Sequence, residues 1–198
     1  MRRVIRRTRT VSSNDYRNIV QTANLGNNVA NHMGYIYPMV LYDKFDFTFR
    51  QVNNFYTRVI ERRKAWQDDN NNDVTSESLV EYCEKKKIDV TGWVKSIPLS
   101  QRIFLSDAKN GRVPVGSEKS INYSLASTMY LTVPTLKDTY KFSNAKIKEF
   151  MDRVAYYIDS YWRKVPGGND RYCTDDTIVQ AFIIDEHWDI RTGKKVEA

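Results

Sequence analysis

Residues 41–60 read LYDKFDFTFRQVNNFYTRVI, and residues 136–155 read LKDTYKFSNAKIKEFMDRVA. The second segment begins 95 positions after the first, and six of the twenty aligned residues are identical. The identical pairs are Leu41/Leu136, Asp43/Asp138, Phe47/Phe142, Phe55/Phe150, Arg58/Arg153 and Val59/Val154. Similarity at a fixed spacing indicates an internal repeat, so we expect two copies of one structural unit.

The similarity continues beyond these segments with small changes in spacing. Residues 74–80 align with residues 173–179, now 99 positions apart. Changes of this kind are expected where insertions fall in loops between helices. The predicted organisation is a basic N-terminal arm at 1–13, a first helical repeat at 14–92, a linker at 93–120 and a second helical repeat at 121–198.

Each copy carries the signal of a helix start followed by an apolar stripe. Thr48 and Gln51 form a capping box, and Ser143 occupies the matching position of the second copy. Apolar residues follow at helical spacing in both copies. We therefore predict a mainly α fold, a helical tandem repeat with pseudo-two-fold symmetry whose long helices pack stripe against stripe.

Several residues are expected to break this helical pattern. Pro38 and Pro134 should each start a new helix, because proline lacks a backbone N–H donor. The run Gly26-Asn27-Asn28 should separate two helices. Minor short strands are allowed near Asp89-Val90 and Asp189-Ile190.

The positive charge of the chain is concentrated at its N-terminus. The net charge is +7, and the first ten residues contain no acid but five arginines, Arg2, Arg3, Arg6, Arg7 and Arg9. Such an arm suits phosphate contacts or an acidic protein groove; the alternative is an arm that only solubilises the chain. No apolar run approaches the roughly 20 residues of a membrane span. The first residues are charged and are not followed by an apolar run, so we do not expect them to be a secretory signal.

Residue types that support catalysis are scarce. His32 and His187 are the two histidines, and neither has metal ligands at the usual spacing. The sequence has no phosphate-binding glycine loop, G-x-S-x-G or H-E-x-x-H motif. Cys83 and Cys173 occupy non-equivalent repeat positions and are expected to be free thiols. We therefore expect a protein that is not an enzyme, with no catalytic residues, no metal and no cofactor.

A second basic cluster lies on the long helix of the first copy. It comprises Arg50, Arg58, Arg62 and Arg63, with Tyr56 expected to be exposed among them. Basic groups supply affinity for phosphates, and aromatic rings stack on bases. These residues and the five arginines of the arm are therefore the candidate binding residues for nucleic acid or a protein partner. The alternative is that the charges only solvate the helix.

Two acid–arginine pairs recur in the repeat. Asp43 and Arg58 in the first copy correspond to Asp138 and Arg153 in the second. We expect each acid to pair with the arginine of its own copy and to fix the crossing of two helices. The alternative is that both arginines contact phosphate.

Both copies follow the patterns L-x-D-x-[FY]-x-F-[ST], [VI]-x-x-F-x-x-R-V and [ST]-x-[DE]-x-[LI] in that order. This arrangement resembles short, mostly helical proteins of phages and prophages in Gram-positive bacteria. The resemblance implies phage origin and a role in the host cytoplasm, without an assigned activity. We therefore predict a non-catalytic phage-encoded protein that binds nucleic acid or a host nucleic-acid-handling (defence) complex. The alternative is a phage structural or assembly protein that docks through its Arg-rich arm.

Overall fold

The computed structural model describes residues 13–68, 76–108, 113–167 and 170–196, and over these ranges the chain is mainly helical, as predicted. The helices are α1 (Ser13–Phe45), α2 (Phe49–Gln67), α3 (Ser76–Lys85), α4 (Val90–Ser96), α5 (Leu99–Phe104), α6 (Ser117–Tyr140), α7 (Asn144–Trp162) and α8 (Asp175–Glu186). Strands β1 (Trp188–Asp189) and β2 (Lys194–Lys195) form an antiparallel pair. No helix in the described ranges combines the length and apolar character needed to cross a membrane.

The two longest helices, α1 and α6, pack along each other at the centre of the molecule. Helices α7 and α8 pack mainly on α1, whereas α2, α3 and α4 pack mainly on α6. Each half of the chain therefore covers the first helix of the other half. One hydrophobic core results, to which both halves contribute rings such as Phe45 and Phe142, whose centroids lie 4.9 Å apart.

This arrangement differs from the predicted packing of the two long-helix stripes against each other. The stripe of α2 includes the buried residues Val52 and Phe55, and that of α7 includes Ile147 and Phe150. These stripes face α6 and α1 as their main partners rather than meeting each other. The central α1–α6 pair is therefore the main packing surface for both stripes.

The predicted breaks within α1 and α6 are wrong, because tertiary packing outweighs the local signal. Pro38 and Pro134 lie inside α1 and α6, and both are buried. Gly26 also lies inside α1, where a Cβ atom would come within 2.5 Å of Ser124 Oγ on α6. The glycine therefore permits close contact between two helices instead of ending one.

The two similar segments share local geometry at the end of their first helix. Leu41 O accepts a hydrogen bond from Phe47 N at 3.1 Å, and Leu136 O accepts one from Phe142 N at 3.2 Å. The residues before these phenylalanines, Asp46 and Lys141, have φ angles of 53° and 56°. The predicted caps are also confirmed, since Thr48 Oγ1 and Ser143 Oγ accept hydrogen bonds from backbone amides of α2 and α7.

The acid–arginine pairs form between the halves, so the predicted pairing within each copy is wrong. Arg153 Nη2 donates to Asp43 Oδ2 at 2.6 Å, and Arg62 Nη2 donates to Asp138 Oδ2 at 3.2 Å. Arg58 instead pairs with Glu61, one turn further along α2. The exchange follows from the packing, because α7 lies on α1 and α2 lies on α6.

The strand expectation is correct for one of the two predicted places. Asp189 lies in β1 and pairs with Lys194. Asp89 instead caps α4, where its Oδ1 accepts a hydrogen bond from Gly92 N at 2.7 Å, and Val90 begins that helix. The carboxylate therefore stabilises a helix start at a position where we expected a strand.

Candidate nucleic-acid interface

The basic residues predicted on α2 do not surround an exposed ring. Arg50, Arg58 and Arg63 are exposed, whereas Arg62 is half-buried and paired with Asp138. Tyr56 is half-buried and packs against the core, so the expectation that its ring is exposed is wrong. This face therefore offers charge without a surface for stacking. The predicted arm residues Arg2, Arg3, Arg6, Arg7 and Arg9 lie outside the described residues.

A groove of about 970 Å³ lies beside the second half of α7 and the start of α8. We call it the α7 groove. Among the described residues, four basic and four aromatic side chains line it, with one acid, Asp159: Arg153, Arg163, Lys164 and Arg171, and Tyr156, Tyr157, Trp162 and Tyr172. Met39, Ser160 and Cys173 also contribute to its wall. The groove thus combines positive charge and aromatic rings in a single concavity.

Two parts of the chain build the α7 groove. Arg153, Tyr156, Tyr157 and Ser160 lie on one face of α7 because they follow the i, i+3, i+4, i+7 spacing of a helix. The chain then leaves the helix and folds back, with Val165 N donating to Asp170 O at 2.8 Å and Tyr172 N to Arg163 O at 3.3 Å.

This fold-back has a direct consequence for the groove. It places Arg171 and Tyr172 beside the end of α7. Gly167 lies at the turn with a φ of 81°, a conformation that glycine adopts without strain.

Contacts with neighbouring groups hold the arginines of the groove in place. The Arg153 guanidinium lies 4.4 Å from the centre of the Tyr156 ring and also donates to Asp43. The hydrogen bond to Asp43 is the main cause that raises the pKa of Arg153 above its ordinary value. Arg163 forms an ion pair with Asp159 at 2.6 Å. These cations are therefore oriented before any ligand arrives, which reduces the entropy lost on binding.

Arg171 is held mainly by aromatic rings and by a backbone carbonyl. Its guanidinium lies 4.6 Å from the centre of the Phe104 ring and 5.7 Å from that of Trp162. It also donates a hydrogen bond to the carbonyl oxygen of Trp162. Stacking of this kind leaves the edges of the guanidinium available to further acceptors.

Three of the four rings that line the α7 groove are exposed, whereas Tyr157 is buried. Tyr156 is 54% exposed, Tyr172 is 56% exposed and Trp162 is 38% exposed. Exposed aromatic surface in a concave region with a polar rim is typical of a binding site. Sequence patterns alone do not single out these rings, and Arg153 stands out in the sequence mainly as the counterpart of Arg58.

A smaller groove of about 460 Å³ lies at the corresponding place on α2. Arg58, Glu61, Arg62 and Ala65 line it, together with two threonines of α6. These four residues stand 95 positions before Arg153, Tyr156, Tyr157 and Ser160. The two tyrosines of the α7 groove are thus replaced by Glu61 and Arg62, which form ion pairs. Within the described part of the chain, aromatic rings line the α7 groove, and none line the groove on α2.

His32 belongs to a separate polar cluster. Its Nδ1 lies 3.0 Å from Asp175 Oδ1, its Nε2 lies 3.1 Å from Asp107 Oδ1, and Tyr161 donates to Asp175 at 2.8 Å. Burial alone would lower the pKa of His32, but hydrogen bonds and charge from Asp175 and then Asp107 raise it above its ordinary value. Both ring nitrogens are engaged, so the cluster serves as a link between α1, α8 and the turn after α5.

The two cysteines are buried free thiols, as predicted. Burial raises the pKa of the Cys83 thiol to about 12 and also raises that of Cys173. Neither is therefore a ready nucleophile near neutral pH. Within the part of the chain that the structure describes, no group of three or more His, Cys, Asp and Glu residues could hold a metal ion.

The chain matches no protein-family model, no curated protein and no solved structure. The chemistry of the α7 groove is therefore the strongest indication of function.

Proposed function

We propose that this protein is a non-catalytic binding protein and that it binds nucleic acid in the α7 groove. The observation that carries the proposal is the interleaving of four cations with exposed rings in one concavity. Lysine and arginine supply affinity for phosphates, and exposed rings supply stacking on bases. Arg153 pairs with Asp43 and Arg163 pairs with Asp159. Among the described residues that line the groove, four cations face one carboxylate, so the lining carries a net positive charge.

The α7 groove is a better candidate than the basic face of α2. Both places contain arginines that pair with acids. The difference lies in the rings, because Tyr156 and Tyr172 are more than half exposed whereas Tyr56 packs against the core. Charge alone is a common property of helix surfaces, but charge beside accessible rings is typical of nucleic-acid binding.

Two charge-matched double variants test this assignment. Arg163→Gln/Lys164→Gln removes two exposed cations of the α7 groove, and Arg50→Gln/Arg63→Gln removes two exposed cations of α2. Binding of a fluorescein-labelled oligonucleotide is followed by anisotropy as a function of salt. Both variants have the same net charge, so any difference between them reflects location.

We expect the groove variant to lose two phosphate contacts. The slope of log K against log salt should then fall by about 1.4 for a single strand, which corresponds to about a 25-fold loss at 0.1 M salt if affinities converge at 1 M. The α2 variant should bind like the unmodified protein. A larger loss of affinity in the α2 variant would show that the binding site lies on α2. Equal binding by all three proteins that does not depend on salt would refute the proposal.

The resemblance noted in the sequence extends the proposal to the biological setting. We infer a phage-encoded protein that acts in the host cytoplasm on nucleic acid or on a host nucleic-acid-handling (defence) complex. A pull-down from host lysate with and without nuclease tests this part. Partners lost after nuclease treatment indicate direct binding to nucleic acid, whereas one host protein retained after nuclease indicates a protein target.

We further infer that the fold is a tandem duplication with pseudo-two-fold symmetry. Three kinds of observation support it: the matched helix ends near Leu41 and Leu136, the paired grooves on α2 and α7, and the reciprocal packing of each half on the other. Superposition of residues 36–67 on residues 131–162 by a single rotation is the direct test. The inference would be contradicted if α1 and α2 need different rotation axes to be superposed on α6 and α7.

An assembly role is the second candidate, and a separate surface favours it. Ile19 and Val115 are exposed and line a shallow groove of about 660 Å³ near the start of α1. Exposed apolar surface of this kind suits a protein contact. Binding there should persist at high salt and should not respond to Arg163→Gln/Lys164→Gln.

A further inference from the structure

We infer that the α7 groove takes a single strand with unpaired bases in preference to a double helix. This inference rests on the proposed function and adds the form of nucleic acid that the site recognises. It depends on the three exposed rings, Tyr156, Trp162 and Tyr172, and on their placement relative to the cations.

The rings are available to stack on a ligand because the protein covers only part of each. Arg153 lies 4.4 Å from the centre of the Tyr156 ring, and Tyr157 contacts the same ring edge-on. More than half of the Tyr156 side chain nevertheless remains exposed. Tyr172 has a similar exposed fraction, and Trp162 has somewhat less. An incoming base therefore finds a ring that is already oriented and still partly uncovered.

The faces of bases are accessible in a single strand and covered in a duplex. A double helix presents phosphates and base edges, and a ring can reach the face of a base only after unstacking it. A single strand offers its faces without that cost, and stacking on protein rings is tolerant of sequence. Exposed rings would therefore add little to duplex binding but would add affinity for a single strand.

The length of the groove fits a short stretch of strand. Tyr156 and Trp162 are six residues apart on α7, which corresponds to about 9 Å along the helix axis. Bases stacked on one another in a duplex advance about 3.4 Å per nucleotide. A single strand whose bases stack on protein rings is more extended, so the span accommodates at most about three nucleotides. Arg153 stands near one end of this span, and Arg163, Lys164 and Arg171 stand near the other. Phosphates on either side of the stacked bases would thus meet a cation.

The test compares three probes of equal length at 0.1 M salt: a thymidine oligonucleotide, an abasic oligonucleotide with the same phosphates, and a duplex. We expect the thymidine strand to bind at least about tenfold more tightly than the abasic strand, because only the former has bases to stack. The duplex should also bind more weakly than the thymidine strand. Binding is measured by fluorescence anisotropy on the full chain.

Variants of Tyr156 show whether the ring is responsible. Tyr156→Ala should lower affinity for the thymidine strand about tenfold. Affinity for the abasic strand should fall much less, because Asp43 still holds Arg153 when the ring is removed. Tyr156→Phe keeps the ring and should bind like the unmodified protein. Circular dichroism verifies that both variants are folded, which is expected because the side chain is largely exposed.

The outcomes separate failure of this inference from failure of the proposed function. The preference for single strands would be overturned by equal affinity for the thymidine and abasic strands, or by tighter binding of the duplex. If Arg163→Gln/Lys164→Gln still weakens binding in that case, nucleic-acid binding in the groove is retained. Absence of binding to all three probes would overturn both.

Discussion

Substitution of Gly26 tests the central packing of the fold, because the sign of its effect depends on whether α6 lies against α1. Gly26 is buried, and a Cβ atom there would lie 2.5 Å from Ser124 Oγ and 3.7 Å from Ser124 Cβ. Leucine extends well beyond Cβ, into space that α6 occupies. At an exposed helical position, replacement of glycine by leucine instead stabilises a protein by about 0.8 kcal/mol.

The expected magnitude follows from these two opposing effects. Overpacking costs about 1–3 kcal/mol, and the gain in helix propensity offsets about 0.8 kcal/mol of it. We therefore expect Gly26→Leu to lower the free energy of unfolding by about 0.2–2 kcal/mol, which corresponds to a fall in Tm of up to about 8 °C for a chain of this size. Urea unfolding followed by circular dichroism at 222 nm measures the effect.

Asn27→Ala is the matched control, because Asn27 is the exposed neighbour of Gly26 on the same helix. Removal of asparagine from a helix interior should stabilise the protein by about 0.5 kcal/mol. A stabilising Gly26→Leu would show that α6 does not lie against this residue. A destabilising Asn27→Ala would indicate that the chain turns here and that α1 is not continuous.

Three further predictions concern the core, the His32 cluster and the thiols. Phe150 is fully buried and contacts Tyr37. Phe150→Ala should lower the free energy of unfolding, measured in urea, by about 3–5 kcal/mol. Tyr156→Ala, at an exposed position, should lower it by less than about 0.5 kcal/mol. Because the pKa of His32 is raised in the folded state, its stabilisation is complete below its unfolded pKa of about 6.5 and is lost as pH rises through the folded pKa. The urea midpoint should therefore fall as pH rises above about 6.5 in the unmodified protein and fall less in His32→Gln, and identical profiles of the two proteins would contradict the raised pKa. Both cysteines are buried, so a disulfide reagent at pH 8 should modify neither quickly in the native protein and both in urea, and rapid native modification would contradict their burial.

The parts of the fold that local sequence determines were predictable. Thr48, Ser143 and Thr174 each cap a helix with a side-chain oxygen, and the signal for a cap lies within four residues. Local signals at Pro38, Pro134 and Gly26 mispredict helix ends, because all three residues are buried in the packing of the long helices α1 and α6. That burial depends on residues about a hundred positions away, so the sequence around each residue does not indicate it.

The candidate site was predictable only in part, for a similar reason. Helical spacing alone places Arg153, Tyr156 and Tyr157 on one face of α7. The remainder of the groove depends on the fold-back of the chain after Trp162, which brings Arg171 to the same place. The arginine partner of each acid could not be predicted either. The sequence shows which residues are acidic or basic, but it does not show that each acid pairs with an arginine of the other half.

The reciprocal packing of the halves has a consequence for how the chain can be divided. A fragment that ends at residue 108 would keep α2 and α3 but lose α6, the helix that they cover, and the complementary fragment would keep α7 and α8 without α1. Neither piece could bury its apolar surfaces alone. Expressed together, the two fragments should associate and restore the protein, so a gene split between codons 108 and 113 would behave as an obligate two-part complex.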